Sequence, residues 1–514
     1  MKKNWSVLRI EKVLIFVFTV LLFAGSHQKV LAYDDQSGEQ SYVYNEYGYN
    51  VRIPDAYEYK EAYSLKDITG VAVTSLTDMF VREDGQIYVV DSEAGTIFCI
   101  SKDMELLHTY SEFTLQNGEK TNLKRPNSVF ASSDLIYVAD TGNSRILISD
   151  SKGNVQLIIE KPENILGTDL SSFLPTNVVA DSAGRISIIA KNINTGIMQF
   201  SAEGTFMGYI GAPKVQMDAF TKLLRKFSTD AQKAKMQTYV PTEYNNIKID
   251  DKNFIWGTIS SYKVKDFITA INTKTKKFDG KVTPIKKLNT MGSDVLRRKG
   301  VFAPLGDLMF IETPSKIIDV GLGPNQVYSM LDSTKGRVFT YNNDGILLYA
   351  FGNKGTKKGN TQNAIAIDYI DDEIVVLDAG LNQLIRYQPT AYGKLLLDAE
   401  GYYAEGEYEE ANRMWEQVVE LNSNFAYAYI GLGNAKYSSE NYNEAMEYFE
   451  YANDRNDYSK AKEKLRKQKT QDIFPVIFVS IAGLILFQVI YQIVKKIRNY
   501  AVSDSQFNRK EDED

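Results

Sequence analysis

The chain has 514 residues, 44% apolar and 24% charged, with a formal net charge of -6. That apolar content can fill a large core shared among two or more domains, and the slightly negative balance argues against a nucleic-acid partner. Its single cysteine, Cys99, sits inside the apolar run Thr96 to Ile100, which excludes a disulfide framework and reads as a buried core thiol.

At the start of the chain, Lys2, Lys3, Arg9 and Lys12 precede the apolar run Val13 to Gly25, and Val30-Leu31-Ala32 offers a small-residue cleavage site before Tyr33. The pattern is that of a secretory signal over residues 1-32, with an uncleaved membrane anchor as the alternative. No cysteine stands at the end of the run, so a lipoprotein anchor is excluded. Residues 33-64 are tyrosine-rich: Tyr33, Tyr42, Tyr44, Tyr47, Tyr49, Tyr57, Tyr59 and Tyr63. Tyr42/Tyr44 and Tyr47/Tyr49 alternate at period two, as in an edge strand completing the last unit of a repeat ring. Tyrosine rings stacking on sugar faces are the alternative.

Downstream, Arg125 to Ile148 reads as a β-run, a polar turn with Asp140, Asn143 and Arg145, and a second β-run, which is a hairpin signal. Weaker copies place the end of the first hairpin strand at Asp91, Asp140, Lys191, Ile259, Asp332 and Asp378, and Arg337 matches Arg145. A hairpin of this kind cannot bury its own apolar face and is stable only beside others. Six copies, with an underlying unit of about fifty residues, predict a six-bladed β-propeller over residues 65-390. The expected task of Asp91, Asp140, Asn143, Arg145, Asp332, Arg337 and Asp378 is structural: the carboxylates accept N-H bonds across the turn and the arginines bridge them to neighbours. A metal ring built from the same carboxylates is the rival reading, weakened because Lys191 and Ile259 replace two of them.

The Asp140 to Arg145 copy resembles the NHL-repeat signature, which implies a propeller and, in most of that family, the binding of proteins or polymers. Between copies three and four, an insertion at about 214-237 sets Met217, Phe220, Leu223, Leu224 and Phe227 on one helical face, away from Lys222, Arg225 and Lys226. This amphipathic helix reads either as structure lying across the propeller or as a docking surface. Arg297, Arg298 and Lys299, in the next long insertion, would join it on a basic rim suited to anionic wall polymer.

Residues 391-470 carry a second repeat. Tyr408, Ala411, Trp415 and Val418 recur 34 residues later as Tyr442, Ala445, Phe449 and Ala452, with Leu432 and Gly433 preceding the second copy. The period means paired helices, with small residues allowing close approach, and it resembles tetratricopeptide repeats. Such a module is either a groove for a partner segment or a spacer. Residues 473-494 are apolar enough to span a bilayer as one helix, with the propeller and helical repeats expected outside the cytoplasm and 495-514 as a short cytoplasmic tail. Lys495, Lys496 and Arg498 follow the span, whereas Lys460, Lys462, Lys464, Arg466, Lys467 and Lys469 precede it, so counting positive charges alone would reverse the orientation that the signal implies.

After residue 32 the chain holds one histidine, His108, in what reads as an outer strand, and it shows no Gly-rich phosphate loop, no Gly-x-Ser-x-Gly elbow and no carboxylate cluster at matched blade positions. These absences predict no enzymatic activity, no cofactor and no metal. The expectation is an exported, membrane-anchored binding or scaffold protein, accessory to a membrane transport complex such as a carbohydrate importer, with a protein partner at the membrane. A cell-wall polymer or glycan receptor is the alternative, and a carboxylate-metal lactonase-like or lyase-like propeller is the second.

Overall fold

The computed structural model describes residues 40-511 except 46, 163-172, 192, 194, 213-242, 271-281, 301 and 309-312. The expected signal segment and the amphipathic insertion with Phe220, Leu223, Leu224 and Phe227 lie outside the described residues. The chain forms a six-bladed β-propeller followed by a helical C-terminal part with one long apolar helix.

Each blade is an antiparallel sheet. Blade one holds Leu76–Val81, Ile87–Asp91, Thr96–Ile100 and Leu106–Tyr110. Blade two holds Ser128–Ala131, Leu135–Asp140, Arg145–Asp150 and Val155–Ile159, and blade three holds Pro175–Ala180, Ile186–Ala190, Ile197–Phe200 and Phe206–Ile210. Among the described residues blade four has three strands, Asn246–Ile249, Ile255–Thr258 and Ile285–Leu288. Blade five runs from Ile317–Leu322 through Tyr328–Asp332 and Arg337–Tyr341 to Leu347–Phe351, and blade six from Ala364–Ile370 through Glu373–Asp378 to Gln383–Pro389.

The continuous apolar runs in these strands follow from burial on both faces. In blade one, Ile87, Val89, Phe98 and Ile100 pack with Ala366, Val375 and Leu377 of blade six. The alternate residues Tyr88, Val90, Ile97 and Cys99 pack with Val129, Ile136 and Val138 of blade two. A strand buried on both faces has no polar face to show, so its sequence loses the period-two alternation of a half-exposed strand. Cys99 is buried here, and burial raises its thiol pKa.

The tyrosine-rich segment is divided between two blades. Tyr57–Ser64 pairs with Gln383–Pro389 and completes blade six, with Tyr57 stacked on Phe351 of blade five at 5.6 Å. The Tyr42–Tyr44 and Asn50–Arg52 hairpin extends blade five through Tyr42 beside Ala350. The expected single strand through Tyr42, Tyr44, Tyr47 and Tyr49 is therefore broken. Asn45 Oδ1 accepts from the backbone N-H of both Tyr47 and Tyr49, which turns the chain and leaves those two rings exposed.

The C-terminal unit spans Lys394–Asp514. Its helices include α1 (Tyr408–Leu421), α2 (Ala426–Ser438), α3 (Tyr442–Tyr451) and α4 (Arg455–Glu511). The 34-residue period is visible in the starts of α1 and α3, at Tyr408 and Tyr442. Trp415 is fully buried against Gly431, and Phe449 against Gly433, where an added Cβ would lie 2.5 Å from the Phe449 ring. Ala411, Leu432 and Ala445 are buried beside them, while Tyr408, Tyr442 and Ala452 are half-buried. The substitution Gly433→Ala is expected to cost about 1–3 kcal/mol through overpacking. Hydrogen exchange on the full chain would accelerate across residues 408–451 with propeller amides unchanged; no acceleration would mean the ring moves aside freely.

Candidate functional site

At the turns, the repeated carboxylates act as ties. Asp91 accepts from the N-H groups of Thr74 and Ser75, Asp140 from Lys124 N-H, Asp332 from Lys316 N-H and Ser315 Oγ, and Asp378 from the N-H groups of Gln362 and Asn363. All four are buried. Each one joins the end of its blade's second strand to the segment entering the same blade. Asp140 also accepts from Asn143 Nδ2 and from Arg145 Nε, both at 2.8 Å. The turn leaves no space for a side chain at Gly142, whose Cβ would stand 2.3 Å from the Lys124 carbonyl oxygen. Burial raises the Asp332 pKa against the N-H groups that favour its charged form.

Arg337 is used differently from its sequence counterpart Arg145. Its Nη1 donates to Asp307 at 2.7 Å, and Lys335 Nζ reaches the same oxygen at 2.6 Å. The long insertion brings in Asp307, which the repeat pattern does not contain. The expected basic rim is also divided. Arg298 donates to the Ile285 and Leu296 carbonyl oxygens and pairs with Asp294, while Val295 N-H bonds to Lys287 O, so this segment covers the edge of Ile285–Leu288, the last strand described in blade four. Arg297 and Lys299 are exposed and share Asp344. His108 lies on the outermost strand of blade one.

The charged centre of the propeller lies on the innermost strands, where the sequence pattern did not point. Asp78 in blade one and Asp319 in blade five occupy matched positions, each paired with the residue before the turn carboxylate, Val90 and Leu331. Two acidic residues thus share one matched position, in blades one and five. Ser128 and Asn246 lie at the corresponding place in blades two and four. The available signal was a polar residue twelve to fourteen positions before the turn in blades one to five, inside an otherwise apolar run, and in blade six Asp368 ten positions before Asp378.

Asn177, Asn246, Asp319, Lys248 and Asp368 form a buried chain across the innermost strands. Asn177 Nδ2 donates to Asn246 Oδ1 at 2.6 Å, and Asn246 Nδ2 donates to Asp319 Oδ1 at 2.8 Å. Lys248 Nζ donates to Asp368 Oδ2 at 2.9 Å and to the Ile367 carbonyl oxygen at 2.6 Å, and lies 3.5 Å from Asp319. The carboxylates also cross between blades: Asp78 accepts from Val129 N-H, Asp319 from Ile367 N-H and Asp368 from Val81 N-H. Blade is thus tied to blade by charge-assisted hydrogen bonds, the stronger kind in a low-dielectric interior.

Burial pushes the Asp78 pKa up to about 8, with the nearby Asp319 carboxylate adding to it and Lys248 opposing it. Burial also raises Asp319, to about 6, against the pull of Lys248 and the Ile367 N-H. For Lys248, burial works to lower the pKa, but Asp319 and Asp368 outweigh it and raise it. Among the described residues no three metal-ligating side chains converge. The ammonium of Lys248 stands where two of the carboxylates meet, and this donor set does not fit a divalent ion.

A pH dependence follows. Asp78 and Asp319 hold protons more tightly folded than unfolded, where a carboxyl titrates near ~3.9, so their contribution to stability is greatest below about pH 4 and is lost as pH rises through about 6 and 8. The substitution Asp78→Asn removes its part of that slope. In urea unfolding the variant is expected to be more stable than the parent at pH 8, by on the order of a few kcal/mol, and equal to it near pH 4. Lower stability at pH 8 would mean that Asp78 is an ionised partner of Lys248.

No protein-family model matches the chain, and no curated protein matches it. Solved structures do. It is similar to a streptogramin B lyase at 13% identity and TM-score 0.36, over 64% of this chain and 97% of that one. It is similar to virginiamycin B lyase from Staphylococcus aureus at 10% identity and TM-score 0.38, over 64% and 99%. It is also similar to a gluconolactonase from Xanthomonas campestris at 11% identity and TM-score 0.35, over 66% and 96%. The expectation that the chain has no enzymatic activity does not stand, because these propellers, and a luciferin-regenerating enzyme beside them, are named as enzymes. The likeness reaches only the fold, and it carries no reaction over to this chain.

Proposed function

We propose that the chain is a membrane-anchored binding or scaffold protein that presents a propeller and a helical module for recognition at the cell surface. The observation that carries this reading is the stretch Ile473 to Val494 of α4, which is long and apolar enough to cross a membrane and is exposed along its whole length. Such an apolar surface is stable only when lipid or protein covers it, and a helix satisfies its own backbone there. In this reading the anchor is single-pass, the propeller is NHL-like, α1 to α3 are tetratricopeptide-like, and the basic and tyrosine-bearing surfaces face outward after export. The protein partner lies in or at the membrane, as in a transport complex.

The test is crosslinking in native membranes, purification of the full-length chain and mass spectrometry of what accompanies it, with a variant lacking residues 408–451 as control. Enrichment of one membrane complex, lost in the control, supports the reading. Release of the chain from membranes by alkaline carbonate would overturn the anchor. A second reading, a glycan or wall-polymer receptor, is favoured by the exposed pair Tyr47 and Tyr49, at 63% and 59% exposure. It predicts polymer binding by the full chain in detergent, lost in Tyr47→Ala/Tyr49→Ala.

A further inference from the structure

The helix that carries the apolar stretch does not begin with it. α4 starts at Arg455 and continues through Ile473 without a break, so the side chains of residues 460–469 belong to the same rod as the apolar segment. Six of those ten residues are basic and one, Glu463, is acidic. At 3.6 residues per turn the basic residues separate into two stripes, Lys460, Lys464 and Lys467, and Lys462, Arg466 and Lys469. Both are exposed and flank the face that packs Ala461 and Tyr458 against Phe449 and Ala445 of α3. The helix is thus held to its own unit by one face while the charged stripes remain open.

Ion pairs take up little of this charge. Among the described residues, Lys460 pairs with Asp457 and Lys467 with Glu463. With a rise of ~1.5 Å per residue, Lys469, Lys467 and Arg466 stand roughly 6 to 11 Å from the first apolar residue, and Lys464 and Lys462 roughly 14 to 17 Å. The polar headgroup layer is about 5–8 Å deep on each side of the hydrocarbon, and the Debye length is about 8 Å, so the nearer three side chains reach the layer and the others lie within its field. Long lysine and arginine stems can bend toward the phosphates while their carbons stay along the helix.

We propose that residues 460–469 of α4 form a docking surface for the anionic phosphodiester headgroups of the bilayer that the same helix crosses. This rests on the membrane-anchor reading and adds a lipid preference to it. The expected strength is roughly fivefold in local lipid preference for each basic side chain near the surface, reduced by salt. Lys495, Lys496 and Arg498 at the far end of the apolar stretch give the opposite leaflet a weaker version of the same contact.

The test uses the full chain in lipid nanodiscs of phosphatidylcholine alone or of equal parts phosphatidylcholine and phosphatidylglycerol. Amine labelling is read residue by residue. Labelling of Lys467 and Lys469 is expected to fall at least fivefold on the anionic discs, to recover at high salt, and to leave the exposed propeller residue Lys252 unchanged. Native mass spectrometry is expected to find phosphatidylglycerol retained by the parent and lost by a variant with Lys462, Lys464, Arg466, Lys467 and Lys469 all changed to Gln. Equal labelling on both lipids, in discs that hold the protein, overturns the lipid contact and leaves the anchor standing. Failure of the chain to enter discs overturns both.

Discussion

Replacing Lys248 by methionine is expected to destabilise the propeller by about 3–5 kcal/mol, because it leaves charge uncompensated in a dry interior. Lys248 is the cation that Asp319 and Asp368 share, and all of these groups lie on innermost strands. The loss should show as a lower urea midpoint for the propeller, and it should be larger at pH 8 than at pH 5, since Asp319 is then fully ionised. Changing Asp319 and Asp368 to Asn in the same chain should restore most of the lost stability. If the single variant were as stable as the parent, water would have to reach the axis and screen the carboxylates.

The substitution Asp140→Ala is the second large effect, expected at about 3–5 kcal/mol. It removes the acceptor of three donors at once, Lys124 N-H, Asn143 Nδ2 and Arg145 Nε, and leaves a mostly buried guanidinium without its carboxylate. The comparison with Asp378→Ala separates the two contributions. Asp378 accepts only from backbone N-H groups among the described residues, so its loss should cost less, about 1–3 kcal/mol. Equal losses would mean that the arginine contributes nothing beyond its packing.

The propeller was legible in the sequence because its repeat is carried by turns. Asp91, Asp140, Asp332 and Asp378 sit where backbone N-H groups need an acceptor, and that need recurs in four of the six blades, so the copies stay recognisable even where insertions lengthen the interval. The axial network was not legible for the opposite reason. Five blades supply one or two polar side chains to it, and their types differ, with Asp78 in blade one, Asn177 in blade three, Asn246 and Lys248 in blade four, Asp319 in blade five and Asp368 in blade six, while blade two gives the Val129 N-H. The partners are set by ring closure between blades, as when Lys248 meets Asp368 across 120 positions of sequence, and no local pattern records it. Arg298 misled for a related reason: a charged residue in a long insertion looks like surface until it is seen to donate to the Ile285 carbonyl oxygen at the edge of blade four. The helical repeat was legible through Trp415 and Phe449, because a large ring needs a glycine or alanine opposite it.

The strand Tyr57–Ser64 is made early and used last. Its partner strand ends at Pro389, and Glu58 must wait for Gln388, 330 positions later. At a synthesis rate of ~5–20 residues per second, that is a delay of roughly 15–65 s during which a tyrosine-rich edge has no neighbour to bond to. Ring closure is therefore a late, long-range event, slow by the same rule that makes non-local sheets slow to form. A ribosome that stalls before residue 383 leaves a chain with five blades assembled and the Tyr57–Ser64 strand unpaired, which makes the incomplete product of this gene a substrate for quality control and not a smaller working protein.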